Sequence, residues 1–193
     1  TVVGYQQIQG DQYAALYSEI LTVELENDFL PFLYPNQYVN FSPDSEASKL
    51  ALSMVSEDTA DVDALKQIYN YVVNNLTYDY DKAETVETGY LPDVDETLST
   101  KTGICFDYAA LTTAMLRSCD IPCKLQIGYT GDIKHAWIDV YIRSKGWVTG
   151  AVSFNGDSWS LMDPTFDSSA DSDDTEAIQD YIGNADNYTV QFT

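Results

Sequence analysis

Thr102 to Leu111 reads T-G-I-C-F-D-Y-A-A-L, a glycine and then a cysteine at the head of an apolar helical run. From Cys105 to about Ser118 the spacing predicts a helix, with Ala109, Leu111, Thr112, Met115 and Leu116 available for burial and Pro122 forbidding continuation. A lone cysteine at such a place more often fills a core as a small apolar side chain. It acquires chemistry through its neighbours. The amino end of a helix lowers a thiol pKa through its dipole and free N–H groups, and those N–H groups can also bind an oxyanion.

Two motifs downstream supply such neighbours. The only histidine of the chain, His135, opens H-A-W-I-D-V-Y, and Asp163 stands in W-S-L-M-D-P-T. Cysteine, histidine and aspartate in that order are the parts of a thiol-nucleophile triad, in which the imidazole moves the proton and the carboxylate orients the ring. Each has a plainer reading: a histidine beginning a strand is usually structural, and an aspartate before proline is usually a turn or cap.

Working outward, further helices are expected before this one and strands only beyond Pro122. Apolar residues at Tyr13, Leu16, Tyr17, Ile20 and Val23 predict a helix over about Asp11 to Phe29, with Asp11 as N-cap. Ser42-Pro43-Asp44 opens a second helix ending near Ser56. Leu65, Ile68, Tyr69, Val72 and Leu76 mark a third, over about Val62 to Asn75. Thr77 to Lys101 has no sustained period and reads as a functional or mobile connection leading into Cys105.

Beyond Pro122 the period becomes two. Strands are expected at Lys124 to Tyr129, Ala136 to Arg143, Trp147 to Phe154 and Ser158 to Met162, with a hairpin turn at Asn155-Gly156. Helices followed by an antiparallel sheet make an α+β fold. The expectation is a single domain over 1–193, divided into an N-terminal helical extension (1–41), a core (42–166) and an acidic C-terminal segment (167–193).

The chain has 193 residues, 45% of them hydrophobic, and a net charge of −22 from 9 basic against 31 acidic residues. That charge repels nucleic acid and anionic membrane, so neither is expected as a partner. No apolar run is long enough for a membrane span. The composition, rich in Tyr, Asn, Ser, Thr and Asp and poor in Lys, suits an exported bacterial protein, extracellular or at the cell surface, and a monomer. Cys119 and Cys123 either close a small loop or pack as free thiols.

Four motifs taken together resemble the transglutaminase-like superfamily of cysteine enzymes: G-I-C-F-D-Y-A-A-L at Gly103 to Leu111, I-P-C-K-L-Q-I-G-Y at Ile121 to Tyr129, H-A-W-I-D-V-Y at His135 to Tyr141, and W-S-L-M-D-P-T at Trp159 to Thr165. The helix I-Y-N-Y-V-V-N-N-L-T-Y-D at Ile68 to Asp79 is similar to that family's lead-in. The resemblance implies a papain-like core with Cys105 as nucleophile, His135 as base and acid, and Asp163 as orienter. It implies an oxyanion hole made by the Cys105 backbone N–H and an upstream side chain, for which Tyr78 is the candidate.

Gly103 is read as leaving room for a substrate backbone beside the thiol, and Trp137 as a cleft wall or a core aromatic. Asp107 is either a neighbour supporting the site or a first-turn acid that suits the helix dipole. A hairpin-like insertion, Lys145 to Ser158, departs from the family pattern. The acidic stretch Asp167 to Glu176 lacks the glycine and ligand spacing of a calcium loop, so no metal and no cofactor is expected.

The function expected is cysteine-dependent acyl transfer on peptide or protein amides through a Cys105 thioester, resolved by water as in a protease or amidase, or by an amine as in a transglutaminase. The alternative is a non-catalytic peptide- or protein-binding module, or a cell-surface one, retaining the fold.

Overall fold

A computed structural model describes residues 1–130, 133–154, 159–161 and 188–193. It divides into two compact units, Thr1–Leu30 and Pro31–Thr193. Asp163, the Asn155-Gly156 turn and the acidic patch at 167–176 lie outside the described residues.

The first unit corrects the sequence reading. In place of a helix after Asp11 there is an antiparallel hairpin, β1 (Val2–Gln9) and β2 (Gln12–Glu19). Tyr13, Leu16 and Tyr17 fit a helical stripe, but Tyr13, Ala15 and Tyr17 also alternate, and they pair with Gln7, Tyr5 and Gly4 across a Gly10-Asp11 reversal. Gly10 adopts φ 53°, which suits the first loop position of a two-residue hairpin. Asp11 is thus a turn residue, not a helix cap. The extension expected at 1–41 therefore holds no α-helix, and its first thirty residues form a unit of their own.

The second unit holds the expected helices and sheet. Helix α1 (Glu46–Met54) starts a little later than Ser42-Pro43 suggests, because Ser42 is used in a turn whose hydroxyl accepts from the Asp44 N–H at 3.2 Å. Helix α2 (Asp61–Asn75) buries Leu65, Ile68 and Val72 of the stripe read from its spacing, and Ala64 beside them. Two short helices, α3 (Tyr80–Thr85) and α4 (Val94–Thr100), fill the segment that showed no period. Asp79 caps α3 by accepting from the Lys82 N–H, and Asp93 caps α4 by accepting from the Asp95 and Glu96 N–H groups.

Helix α5 (Cys105–Ser118) is the axis of the core, buried continuously from Asp107 to Arg117. Leu111, Met115 and Leu116 are wholly enclosed, each contributing about 1.5–3 kcal/mol of burial. The sheet runs in the order β8-β7-β6-β5-β9, from β5 (Cys123–Thr130), β6 (Ile133–Ile142), β7 (Gly146–Phe154), β8 (Trp159–Leu161) and β9 (Tyr188–Phe192). All its pairings are antiparallel. On β6, Ala136, Ile138, Val140 and Ile142 join the core shared with α5. His135, Trp137, Asp139 and Tyr141 alternate with them and share the opposite face.

Candidate active site

Two very short strands set the distance between the residues of the site. β3 (Thr77–Tyr78) lies parallel to β4 (Thr102–Gly103), with Tyr78 opposite Gly103. The Asp79 N–H donates to the Gly103 carbonyl at 2.9 Å and the Thr77 N–H to that of Lys101 at 2.8 Å. Cys105 then begins α5, so its side chain and its backbone N–H both stand beside Tyr78.

The Cys105 thiol receives hydrogen bonds from the backbone N–H of Ala136, the Tyr78 hydroxyl and the N–H of Phe106. The Tyr78 hydroxyl also lies within reach of the Cys105 backbone N–H. Through Ala136, the strand that carries His135 touches the thiol directly. Three donors from three elements therefore converge on one sulfur.

The electrostatics differ from what a helix start alone suggests. Burial pushes the Cys105 thiol pKa up, and the three hydrogen-bond donors do not offset it. The expected lowering of the thiol pKa by the helix terminus is thus overridden, because desolvation of a charge costs more than those donors return. Burial also drives His135 down to about 4 and raises Tyr78 to about 12. At neutral pH the imidazole is an uncharged base and Tyr78 a proton donor.

Gly103 and Trp137, read as cleft walls, are both interior. Trp137 is 1% exposed and stacks near-parallel with His135, ring centroids 6.3 Å apart at 16°. Gly103 is buried, and the place of its missing side chain is taken by Asp107, whose Cβ would lie 2.6 Å from a Cβ at position 103. It makes room for Asp107.

Asp107 itself is the residue that sequence reasoning undervalued. It is fully buried, and its carboxylate accepts from the Ile104 N–H at 2.8 Å, from Lys82 Nζ at 2.8 Å and from the Tyr90 hydroxyl. Lys82 Nζ donates to the Tyr90 oxygen as well, at 2.7 Å. Burial opposes the charge on Lys82, yet its bonds to Asp107 and Tyr90 prevail and raise its pKa. The signal available in sequence was the acid at the third helical position, where a side chain can reach back to the N-cap N–H. Nothing in the spacing pointed to Lys82 or Tyr90.

Cys119 and Cys123 are both free thiols, raised by burial to about 11 and about 12. Among the described residues, no three His, Cys, Asp or Glu side chains gather as a metal site. Also among them, no helix is long and apolar enough to cross a membrane.

Comparison with known proteins agrees with this geometry. The family model of the transglutaminase-like superfamily matches residues 48–150, more than half of the chain. The chain belongs to the transglutaminase-like superfamily. The matched stretch of this transglutaminase-like chain contains Tyr78, Cys105 and His135 and ends before Asp163. A Cytophaga hutchinsonii protein whose crystal structure is described as a "Putative Cysteine Protease" superposes with a TM-score of 0.51 at 25% identity, over 65% of this chain and 42% of that one. The fold is thus that of cysteine enzymes.

Among curated proteins, UPF0252 protein MJ1282 of Methanocaldococcus jannaschii is 40% identical over 62 residues, 30% of this chain and 18% of its own length. The uncharacterized protein YebA of Bacillus subtilis is 26% identical over 154 residues, 68% of this chain and 21% of its own. The chain spans about a fifth of the length of these curated relatives.

Proposed function

We propose that the protein is a cysteine-dependent acyl-transfer enzyme acting on peptide or protein amides. The observation that carries the reading is the convergence of the Tyr78 hydroxyl and the Cys105 backbone N–H beside the Cys105 thiol, at the start of a helix whose sulfur also touches the His135 strand.

The chemistry follows from the neutral resting pair. As the sulfur bonds to the substrate carbonyl carbon, its proton passes to His135, which is uncharged above about pH 4. The carbonyl electron pair moves onto oxygen, where Tyr78 and the Cys105 N–H donate to it. Collapse of that oxyanion expels the amine, which leaves with the proton from His135, and Cys105 holds the acyl group as a thioester. Water, or a second amine, then resolves it by the same steps in reverse. Asp163 enters on sequence order alone, as the carboxylate that orients His135. An electrically neutral start suits a buried site, because charge forms only where donors already wait for it.

The test is mass spectrometry of the protein mixed with glutamine-containing and other peptides, with and without a primary amine. An acyl adduct on Cys105, lost in Cys105→Ser, is the expected result. Hydrolysed peptide alone assigns an amidase or protease, and amine-linked peptide a transglutaminase. Turnover that survives Cys105→Ser, or folded protein that forms no adduct with any peptide, overturns the reading in favour of a binding module.

A further inference from the structure

We propose that Lys82, Tyr90 and Asp107 form a clamp that positions the nucleophile, with Lys82 cancelling at the Cys105 sulfur the negative charge of Asp107. The proposal rests on Cys105 being the nucleophile and names positioning residues for it; none of the three is assigned a contact with substrate.

The geometry carries it. A carboxylate that is wholly enclosed must be supplied with donors or it is costly to bury. Asp107 receives three, from three separate places in the chain: Ile104 at the cap of α5, Lys82 on α3 and Tyr90 in the connection before α4. Pulling on the Ile104 N–H fixes the residue immediately before Cys105. Pulling on Lys82 and Tyr90 fixes the connection that begins at Tyr78. The clamp thereby ties the two sides of the proposed oxyanion hole together, and Gly103 is the residue that admits the carboxylate between them.

The second part is electrostatic. Asp107 is two residues from Cys105, and its charge acts to raise the thiol's pKa. A carboxylate so near opposes the negative sulfur that forms during reaction unless a cation answers it, and Lys82 stands 2.8 Å from that carboxylate. Besides Asp107, the titratable group in contact with Cys105 is Tyr78 on β3, and His135 on β6 adjoins Ala136, whose N–H donates to the thiol. Facing Asp107 there are Lys82 and Tyr90, the latter raised to about 12 by burial first and by Asp107 next. Neither tyrosine nor the histidine changes charge between about pH 5 and 11, so in that range the thiol's own titration is what an alkylation profile reads.

The experiment measures the iodoacetamide rate at Cys105 against pH, by mapping the Cys105 peptide, in the wild type, Lys82→Met, Lys82→Arg, Asp107→Asn and the double variant Lys82→Met/Asp107→Asn. A unit charge several ångströms away at an effective dielectric near 20 moves a pKa by roughly one unit. Lys82→Met is expected to move the midpoint up by roughly one pH unit. Asp107→Asn, which leaves Lys82 uncompensated, is expected to move it down by a similar amount. The double variant returns toward the wild type, and Lys82→Arg stays near it. A residue that merely holds the fold would lower the melting temperature without moving two midpoints in opposite directions.

Midpoints that do not move, or that move the same way in both single variants, overturn the proposal. Should Asp107→Asn fail to fold, the contrast between Lys82→Met and Lys82→Arg decides it alone, equal midpoints refuting it. Because the readout needs no substrate, turnover surviving Cys105→Ser would remove the nucleophile assignment while leaving the result on the clamp legible.

Discussion

Gly103 and Asp107 compete for one volume: a β-carbon on the glycine would stand 2.6 Å from the Cβ of the aspartate and 3.1 Å from its Oδ2. Real carbon atoms do not approach so closely, and neither partner is the loose end of a flexible side chain. Any substituent at 103 must therefore displace the first turn of α5.

Gly103→Ala is expected to cost roughly 1–3 kcal/mol, the range for overpacking in a filled interior. A lowered melting temperature together with slower Cys105 alkylation is the predicted pair of results. Were the glycine present to admit substrate, the same change would raise KM and leave melting untouched, so calorimetry and kinetics on one variant separate the two roles.

Tyr78→Phe keeps the ring and removes the hydroxyl that reaches both the Cys105 thiol and its N–H. Turnover should fall by about 10²–10³, the usual loss for one oxyanion donor, with melting nearly unchanged. Equal kcat in the two proteins would exclude Tyr78 as a donor to the reacting oxygen.

Cys105 should titrate above a free cysteine, since burial raises its pKa despite three hydrogen-bond donors. Its alkylation rate is expected to climb through alkaline pH with no plateau near neutrality. A midpoint below that of a free thiol would show instead a preformed thiolate, and with it a different resting state for the site.

The acid dependence of folding carries a signature of His135. Its pKa falls from 6.5 to about 4 on burial, so between those values the unfolded chain takes up a proton that the folded chain refuses. Stability therefore declines as pH drops from about 6.5 to 4, levels off below, and is undisturbed by this group above 6.5. The loss is on the order of 3 kcal/mol over the whole window. Protonating carboxylates act in the same range, so the difference between the wild type and His135→Gln, each followed by urea titration, isolates the imidazole.

The core of this fold was legible because its elements are long. Helix α2 shows a stripe over four turns, α5 carries its own stop at Pro122, and β5 to β7 are eight to ten residues long and divided by turn residues. The N-terminal hairpin differs from the helix expected there for a definite reason: apolar residues spaced by three and four satisfy a helix, and the Gly10-Asp11 reversal that decides otherwise spans only two positions. Helices α3 and α4, at six and seven residues, are shorter than two full turns and leave no period to detect.

In the site, Cys105 and His135 stood out by motif and Tyr78 by the resemblance. The direction of the thiol's pKa did not, since burial is a property of the assembled core. Lys82 and Tyr90 were invisible for a similar cause, being joined to Asp107 only by tertiary contact across 25 and 17 positions.

The pairing of β3 with β4 has one more consequence. Two residues on each side hold Tyr78 opposite Gly103, so the gap between donor and nucleophile is measured by the spacing of adjacent strands, about 4.8 Å, and not by the length of polypeptide connecting them. The connection is then partly released from the chemistry. Between Lys82 and Tyr90, which are tethered, the exposed residues 83–89 can lengthen, shorten or exchange their side chains while the ruler stays the same. That gives the scaffold a place to acquire new selectivity, by evolution or by grafting, without rebuilding the atoms that react.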